Sequence, residues 1–384
     1  MSQVLIVGAG RLGKGFLGET FFNAGWKIGF LDNDPRVTEE LQRTGTFTVK
    51  VHSADDIINN TISGYNVFDC DDNHSCMDFF LNTDVVCLPL YPSDFEEAAS
   101  YLAPCFEEQM KKDPTKKMTL ICLTNKNHII EKIKGYFLNN LSSEAAKAWF
   151  KENVAFRDSI VRRSTDAPTN YSTDLVTTAV ASLLIQSPVY NPIDDVQWLE
   201  LRDNIEMLKD IKVFTINGPH AATAYMGYLR GMKTIPEASA DPIVGNKVNE
   251  IHDLIVKAVM EEYPITREEL KDLEYLPKAK NEIPDSIRRV AYDPIRKLGK
   301  QDRLIGTALL CQKHGIDFEP LAYAIACAFS YDDPSDLNAV KLQKEIQENG
   351  LASTVTKVTG LPQDHPIAAT ILRFSNNLKQ ELNV

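Results

Sequence analysis

Lys212, Asn217 and His220 stand close together in the stretch "KVFTINGPHAATAYMGY", Lys212 to Tyr228, which is otherwise apolar or small. Each of the three is costly to bury without a partner. An ordinary lysine, with a pKa of about 10.4, stays protonated at neutral pH and makes a poor base. Burial beside the positive N-terminus of a helix would lower that value and turn Lys212 into a proton acceptor. The alternative is structural: Asn217 caps a helix, His220 is a satisfied core histidine and Lys212 snorkels to solvent. Proline is tolerated in the first turn of a helix and not deep inside one. Pro219 therefore predicts a helix starting at Gly218 or Pro219, with Asn217 at or next to its cap and His220 in its first turn. Lys212 would then lie on an extended or irregular link before it.

A second set is built from glycines. In "VLIVGAGRLGKGFLGETFFNAGWKIGFLD", the loop Gly8, Gly10, Arg11, Leu12, Gly13 follows a strand-like run and opens a helix, and Asp32 ends the next strand. The first glycine permits a tight turn, the second lets backbone approach a pyrophosphate, and the third lets helix and strand pack closely. Strand, loop, helix, second strand and acid agree in spacing, which reads as a dinucleotide site. Asp32 is placed to accept from the adenosine ribose hydroxyls and to repel a 2′-phosphate, favouring NAD over NADP, with Arg36 close by. The same letters nearly spell a nucleoside-triphosphate loop through Gly8, Gly13 and Lys14. Gly15, however, stands where a magnesium-binding hydroxyl is required.

The elements that must carry these residues follow from periodicity. Val4–Val7, Lys27–Asp32, Asp84–Leu90 and Met118–Thr124 are short, nearly continuous apolar runs separated by amphipathic helical patterns, and "LVTTAVASLLIQS" reads as a late strand. Such alternation implies a parallel sheet covered on both faces. After Pro188 and Pro192 the pattern turns to long helical periods. The expected fold is α/β: a Rossmann-type doubly wound, mostly parallel sheet over residues 1–195, then a mainly α-helical substrate domain over 196–384. Thr266 and Glu269 mark a capping box.

Composition bounds the partners. The 384 residues carry a net charge of −12, which disfavours a phosphate-backbone binder, so no nucleic acid is expected. No segment is long and apolar enough for a membrane span. Seven cysteines without a C-x-x-C pair suggest a reducing, cytoplasmic setting. "CDDNHSC" (70–76) matches no common zinc spacing, so no metal is expected there.

The chain resembles the polyol-specific long-chain dehydrogenases. Lys212, Asn217 and His220 are similar to the K-x4-N-x2-H signature of that family, "GAGRLGKGF" to its cofactor loop, and "DPIRKLGKQDRLIG" to its charged segment. "VAFRDSIVRR" resembles its Val-Asp-Arg segment with Arg162 in place of the acid. The C-terminal "FSYDDPSDLNAVKLQKEIQENGL" and "VTGLPQDHP" resemble the shorter, phosphate-using branch. The resemblance implies metal-independent hydride transfer between a secondary alcohol and NAD. Lys212 would be the general base, Asn217 a stabiliser of the developing oxyanion, and His220 the group orienting the substrate oxygen or the lysine.

"RRVAYDPIRKLGKQDR" (288–303) holds six basic residues against two aspartates, a patch able to capture a phosphate by charge-assisted hydrogen bonds or to pair with acidic surface. Arg289, Arg296, Lys297 and Arg303 align with the family's pattern and are the expected substrate-binding set. The implied partner is a small sugar alcohol or sugar phosphate, and the implied reaction interconverts mannitol 1-phosphate and fructose 6-phosphate in a monomer or small homo-oligomer. Tyr292, where the phosphate branch often has a basic residue, and "NGPH" leave open a keto-sugar-acid or unphosphorylated ketose reductase. A dinucleotide-sensing protein without chemistry is the reading of another class.

Overall fold

The computed structural model describes residues 2–71, 73–281 and 284–378. Among the described residues twelve strands run in chain order: β1 Gln3–Val7, β2 Lys27–Asp32, β3 Thr46–His52, β4 Ile57–Ser63, β5 Asn66–Asp69 and β6 Val85–Leu88, then β7 Met118–Cys122, β8 Val154–Val161, β9 Thr165–Asp166, β10 Asp174–Thr178, β11 Leu183–Gln186 and β12 Leu199–Arg202. Eight form one sheet in the order β12-β11-β8-β7-β6-β1-β2-β5. All its pairs are parallel except β8 with β11. β1 and β6 are neighbours although four strands separate them in sequence. The chain reverses its winding there, and in open α/β sheets ligands bind outside the carboxyl ends at such a point.

A second sheet, β4-β3-β10-β9, covers the helix that follows β1. That helix is π-helical over Gly13–Gly18 before continuing as Glu19–Asn23, and every residue from Gly13 to Phe21 is buried. Phe16, Leu17 and Phe21 share one core with Val4, Ile6, Phe30, Phe47 and Leu175. A Cβ on Gly15 would lie 2.4 Å from Thr165 and one on Gly18 2.8 Å from Phe30, so only glycine admits this approach. The expected late strand is in fact two. β10 joins the small sheet and β11 the large one, with Ala179 to Ser182 crossing between them.

The chain separates into two compact units, residues 1–209 with 276–282, and 210–275 with 283–384. The division falls later than the expected residue 195, because β12 still belongs to the large sheet and the return segment 276–282 adds to the first unit. Within it, His52 Nδ1 lies 2.8 Å from the Lys280 carbonyl. Among its described residues the regular elements of the second unit are all helices. Its helix Glu319–Phe329 is buried from Leu321 onward and packs on Pro366–Ser375. The capping box of Thr266 and Glu269 is formed.

The first unit buries two ion pairs. Arg163 donates to Glu19 at 2.9 Å with both side chains almost wholly inaccessible, and its guanidinium lies 4.6 Å from the centre of the Phe16 ring. Lys209 reaches Asp158 at 2.5 Å, again inside. Breaking such a pair leaves a charge without compensation, whereas replacing both partners does not. Arg163→Ala should therefore lose about 3–5 kcal/mol in urea denaturation. Adding Glu19→Gln to that variant should restore part of the loss; equal losses in the single and the double variant would show that packing and not charge holds this site.

Candidate active site and cofactor loop

The three chemical residues of the opening stretch share one helix. Ile205–Lys212, the π-turn Val213–Asn217 and Gly218–Leu229 follow without a break. The expectation of a helix starting at Gly218 is corrected: Lys212 is already helical, at φ −59 and ψ −41. A π-turn, closed by i→i+5 bonds, widens the helix just ahead of Pro219, where an ordinary ladder would require an N–H that proline lacks. The widening also sets the geometry of the site. In an α-helix, residues five apart differ by about 140° around the axis. Closing the turn over five residues instead stacks Lys212 and Asn217 on nearly the same stripe, and His220, three further on, follows it.

Asn217 makes no side-chain cap bond, so its amide is not spent as a helix cap. Lys212 is half-buried. His220 has its Nε2 3.6 Å from an Asp285 carboxylate oxygen. Burial holds its pKa below the ordinary value; Asp285 works against that, and Arg289, Arg303 and Lys297 add to it. His220 is thus a mainly neutral imidazole at physiological pH, facing three cations and one carboxylate.

Those cations are three of the four expected in the basic segment. Close approach brings them in: a Cβ on Gly218 would lie 3.0 Å from the Arg303 carbonyl, so a larger residue at 218 would push this contact apart. Thr307 holds the same carbonyl at 2.6 Å. Tyr225, wholly buried, donates to the Ala291 carbonyl at 2.8 Å and ties the helix Ile287–Ala291 to the helix Gly218–Leu229. Arg289 pairs with Asp285, and Arg303 with Asp302 at 2.8 Å. Lys297 is 4% exposed and donates to the Tyr292 carbonyl; burial first, then Arg303 and Arg296, lower its pKa to about 7. Arg296 differs from its three companions. It is half exposed, pairs with Asp293 at 3.1 Å and Asp302 at 3.3 Å, and is not among the leading charges acting on His220.

Two positioning groups escape a reading of the sequence by residue type. Asp285 lies four residues before Arg289, the only local signal it gives. Asp293 adopts a left-handed conformation, φ 62, that costs a non-glycine residue of order 1–3 kcal/mol unless its surroundings hold it. Asp336 accepts from its N–H at 2.7 Å and Asn338 donates to its carboxylate at 2.9 Å. The C-terminal "SDLN" therefore fixes the turn that delivers Lys297.

In the first unit, Gly8 has φ +106, and a Cβ on Gly13 would meet the Gly8 carbonyl at 2.0 Å, so the loop closes as its glycines require. A Cβ on Gly10 would meet nothing within 4 Å: here the backbone faces open space. That space belongs to a cavity of about 230 Å³ whose lining includes Gly8, Gly10, Asp32, Val37, Leu90 and Tyr101. Asp32 accepts from Ala9 N at 2.7 Å and Asp34 N at 2.9 Å, which aims it while leaving lone pairs for hydroxyls. Its pKa is raised, chiefly by burial. Arg11 turns toward Asp166 at 3.6 Å, Leu12 packs into the core, and neither they nor Gly13 line the cavity. Lys14 is buried and donates to the Asn170 carbonyl at 2.5 Å, so its ammonium is engaged by backbone; burial lowers its pKa to about 8 against Asp32 and Glu40.

Among the described residues no group of three His, Cys, Asp or Glu could hold a metal, although Asp72 of the "CDDNHSC" segment lies outside them. Cys76 there is buried and Cys70 lines the cavity. No helix among the described residues is long and apolar enough to cross a membrane.

Residues 2–184 match the Mannitol dehydrogenase Rossmann domain and residues 204–378 the Mannitol dehydrogenase C-terminal domain. A mannitol-1-phosphate 5-dehydrogenase of Thermoanaerobacter pseudethanolicus is 25% identical over 99% of this chain and 99% of its own. One from Bacillus licheniformis is 28% identical over 95% and 97%. In structure, Pseudomonas fluorescens mannitol 2-dehydrogenase, solved with NAD and D-mannitol, superposes with a TM-score of 0.76 at 15% identity, over 100% of this chain and 94% of that one. A D-sorbitol dehydrogenase gives 0.76 at 12% identity, over 99% and 93%. With both domains of one family matched in chain order, the chain belongs to the mannitol dehydrogenase family of NAD-dependent oxidoreductases.

Proposed function

We propose that the protein interconverts mannitol 1-phosphate and fructose 6-phosphate, with Lys212 as the general base. The observation that carries this reading is the juxtaposition in the second unit: Lys212, Asn217 and His220 on one widened helix, with Arg289, Lys297 and Arg303 gathered around His220. NAD, when bound, supplies the hydride acceptor. In the oxidative direction the Lys212 amine takes the proton of the reacting hydroxyl. Asn217 donates to the oxygen as its charge grows, and neutral His220 orients it. The cation cluster takes the phosphate, a dianion that needs several donors and a fixed distance from the reacting carbon. The full-length likeness to relatives named for the phosphorylated substrate supports the same choice.

A second reading, reduction of a keto-sugar acid or an unphosphorylated ketose, draws on the pairing of the cations. Arg296 is engaged with Asp293 and Asp302, Arg289 shares Asp285, and Tyr292 presents an exposed phenol in place of a further cation. One carboxylate or a run of hydroxyls needs fewer free charges than a phosphate. NADH oxidation with fructose 6-phosphate, fructose and tagaturonate separates the readings: the phosphate ester should give the largest kcat/KM, and equal values for it and fructose would overturn the first.

Removing a general base costs 10²- to 10⁴-fold, so Lys212→Ala should lose at least about 2.7 kcal/mol of barrier lowering while NADH binding stays intact. Nearly normal turnover would take Lys212 out of the mechanism.

Lys297 gives a pH signature. Its charge is present below a pKa of about 7 and lost above it. A phosphate monoester becomes a dianion above about pH 6. KM for the phosphorylated substrate should therefore be lowest between those two values and rise up to about tenfold per unit above them. Lys297→Arg, whose charge persists, should flatten that rise; an identical profile in both proteins would show that Lys297 does not meet the phosphate.

A further inference from the structure

Asp32 is the acid expected to favour NAD, but the wall around it contains more charge than that role needs. Asn33, Asp34, Asp94 and Glu97 line the same cavity. Proteins that accept NADP place a cation just beyond the second strand to receive the 2′-phosphate. Two groups here could serve, and both are engaged. Arg36 donates Nε to one Asp34 carboxylate oxygen at 3.0 Å and Nη2 to the other at 2.8 Å, and its guanidinium lies 5.6 Å from the centre of the Tyr171 ring. The Asn33 amide donates to Glu97 at 2.9 Å.

We propose that NADP is excluded by two carboxylate latches, Asp34 on Arg36 and Glu97 on Asn33, acting beside Asp32. Each removes a donor that a 2′-phosphate would require and puts a negative charge in its place. The latches come from different elements, Asp34 capping the helix Pro35–Thr44 and Glu97 in the first turn of Phe95–Lys112. Arg36 holds the Asp34 carboxyl below its usual range, so that latch stays ionised throughout the neutral region. Removing Asp32 alone leaves both closed.

Acids in a first helical turn also stabilise the helix, which is the plain structural account of Glu97. Glu96 shares that turn, is exposed and does not line the cavity, and so serves as the control. Asp34→Asn keeps a good cap while releasing Arg36.

The test measures dissociation constants for NADH and NADPH by fluorescence titration of Asp34→Asn, Glu97→Gln, the double variant, Asp32→Ala and Glu96→Gln. Competition by adenosine 2′,5′-bisphosphate against AMP isolates the ribose end. Exposed ion pairs contribute up to about 1 kcal/mol, so Asp34→Asn should narrow the NADPH-to-NADH ratio roughly three- to fivefold, Glu97→Gln, whose partner is neutral, by less, and the double variant by most. NADPH binding should strengthen by more than NADH binding changes in each latch variant, and the effect should shrink in high salt. A ratio left unchanged in the double variant while Asp32→Ala alone closes it would overturn the proposal. So would a Glu96→Gln effect equal to that of Glu97→Gln, because general surface charge would then account for both.

Discussion

Residues five apart cannot share a face of an ordinary α-helix, and the proposed chemistry requires that Lys212 and Asn217 do. The π-turn over Val213–Asn217 resolves that conflict and lets the helix continue past Pro219. Gly218 then keeps the widened side free of a Cβ, so that the Arg303 backbone can settle against it. The proposed base, amide, imidazole and cation cluster thus owe their registration to one local departure from α-helical geometry. Such a turn is less favourable than regular helix and persists here under flanking helical turns and the packing of Ile287–Ala291 and Pro242–Glu262 against its continuation.

Charge in the second unit is arranged by pairing rather than by excess. Every expected cation has an oxygen partner: Arg289 has Asp285, Arg296 has Asp293 and Asp302, Arg303 has Asp302, and Lys297 has the Tyr292 carbonyl. A cluster without such partners would repel itself and depress His220 further. With them, the cations are held in place before a ligand arrives, which lowers the ordering cost of binding. The arrangement also divides their roles. Lys297 is poised near neutrality by its burial first, then by Arg303 and by Arg296, which lies at the solvent edge.

The sheet, its order of elements and the glycine loop were legible because each rests on contiguous residues. A short apolar run bounded by turn signals is a strand wherever it packs, and Gly8, Gly13 and Asp32 carry their reason for being there within one βαβ unit. The small sheet was not legible. "TFTVKVH" and "IINNTIS" acquire meaning as a pair only once the helix from Gly13 needs a cover, and "LVTTAVASLLIQS" looks like one strand until two sheets compete for it. At the candidate active site, the types and spacing of Lys212, Asn217 and His220 were plain, but the helix under them was misread, because Pro219 signals a helix start unless a wider turn precedes it. Asp336 and Asn338 could not be found from type or spacing at all, and Asp285 only through its place four residues before Arg289. Their roles depend on contacts across long stretches of chain, and a surface acid gives no mark of which turn it holds.

The two latches of the cofactor wall illustrate the same point from the other side. Arg36 read alone is a cation near a ribose and an argument for NADP. Set against Asp34, two residues earlier and gripping it through both oxygens, it argues the reverse. The sign of a charge's contribution is fixed by its nearest partner, since an exposed pair at hydrogen-bond distance presents little net field beyond a Debye length of about 8–10 Å. Glu97 is harder to discover, because its partner Asn33 is neutral and lies 64 positions away in the chain. What Glu97 removes is a donor rather than a charge. Selectivity in this cavity therefore depends on what a 2′-phosphate would fail to find as much as on what would repel it, and that property belongs to pairs of residues on different elements.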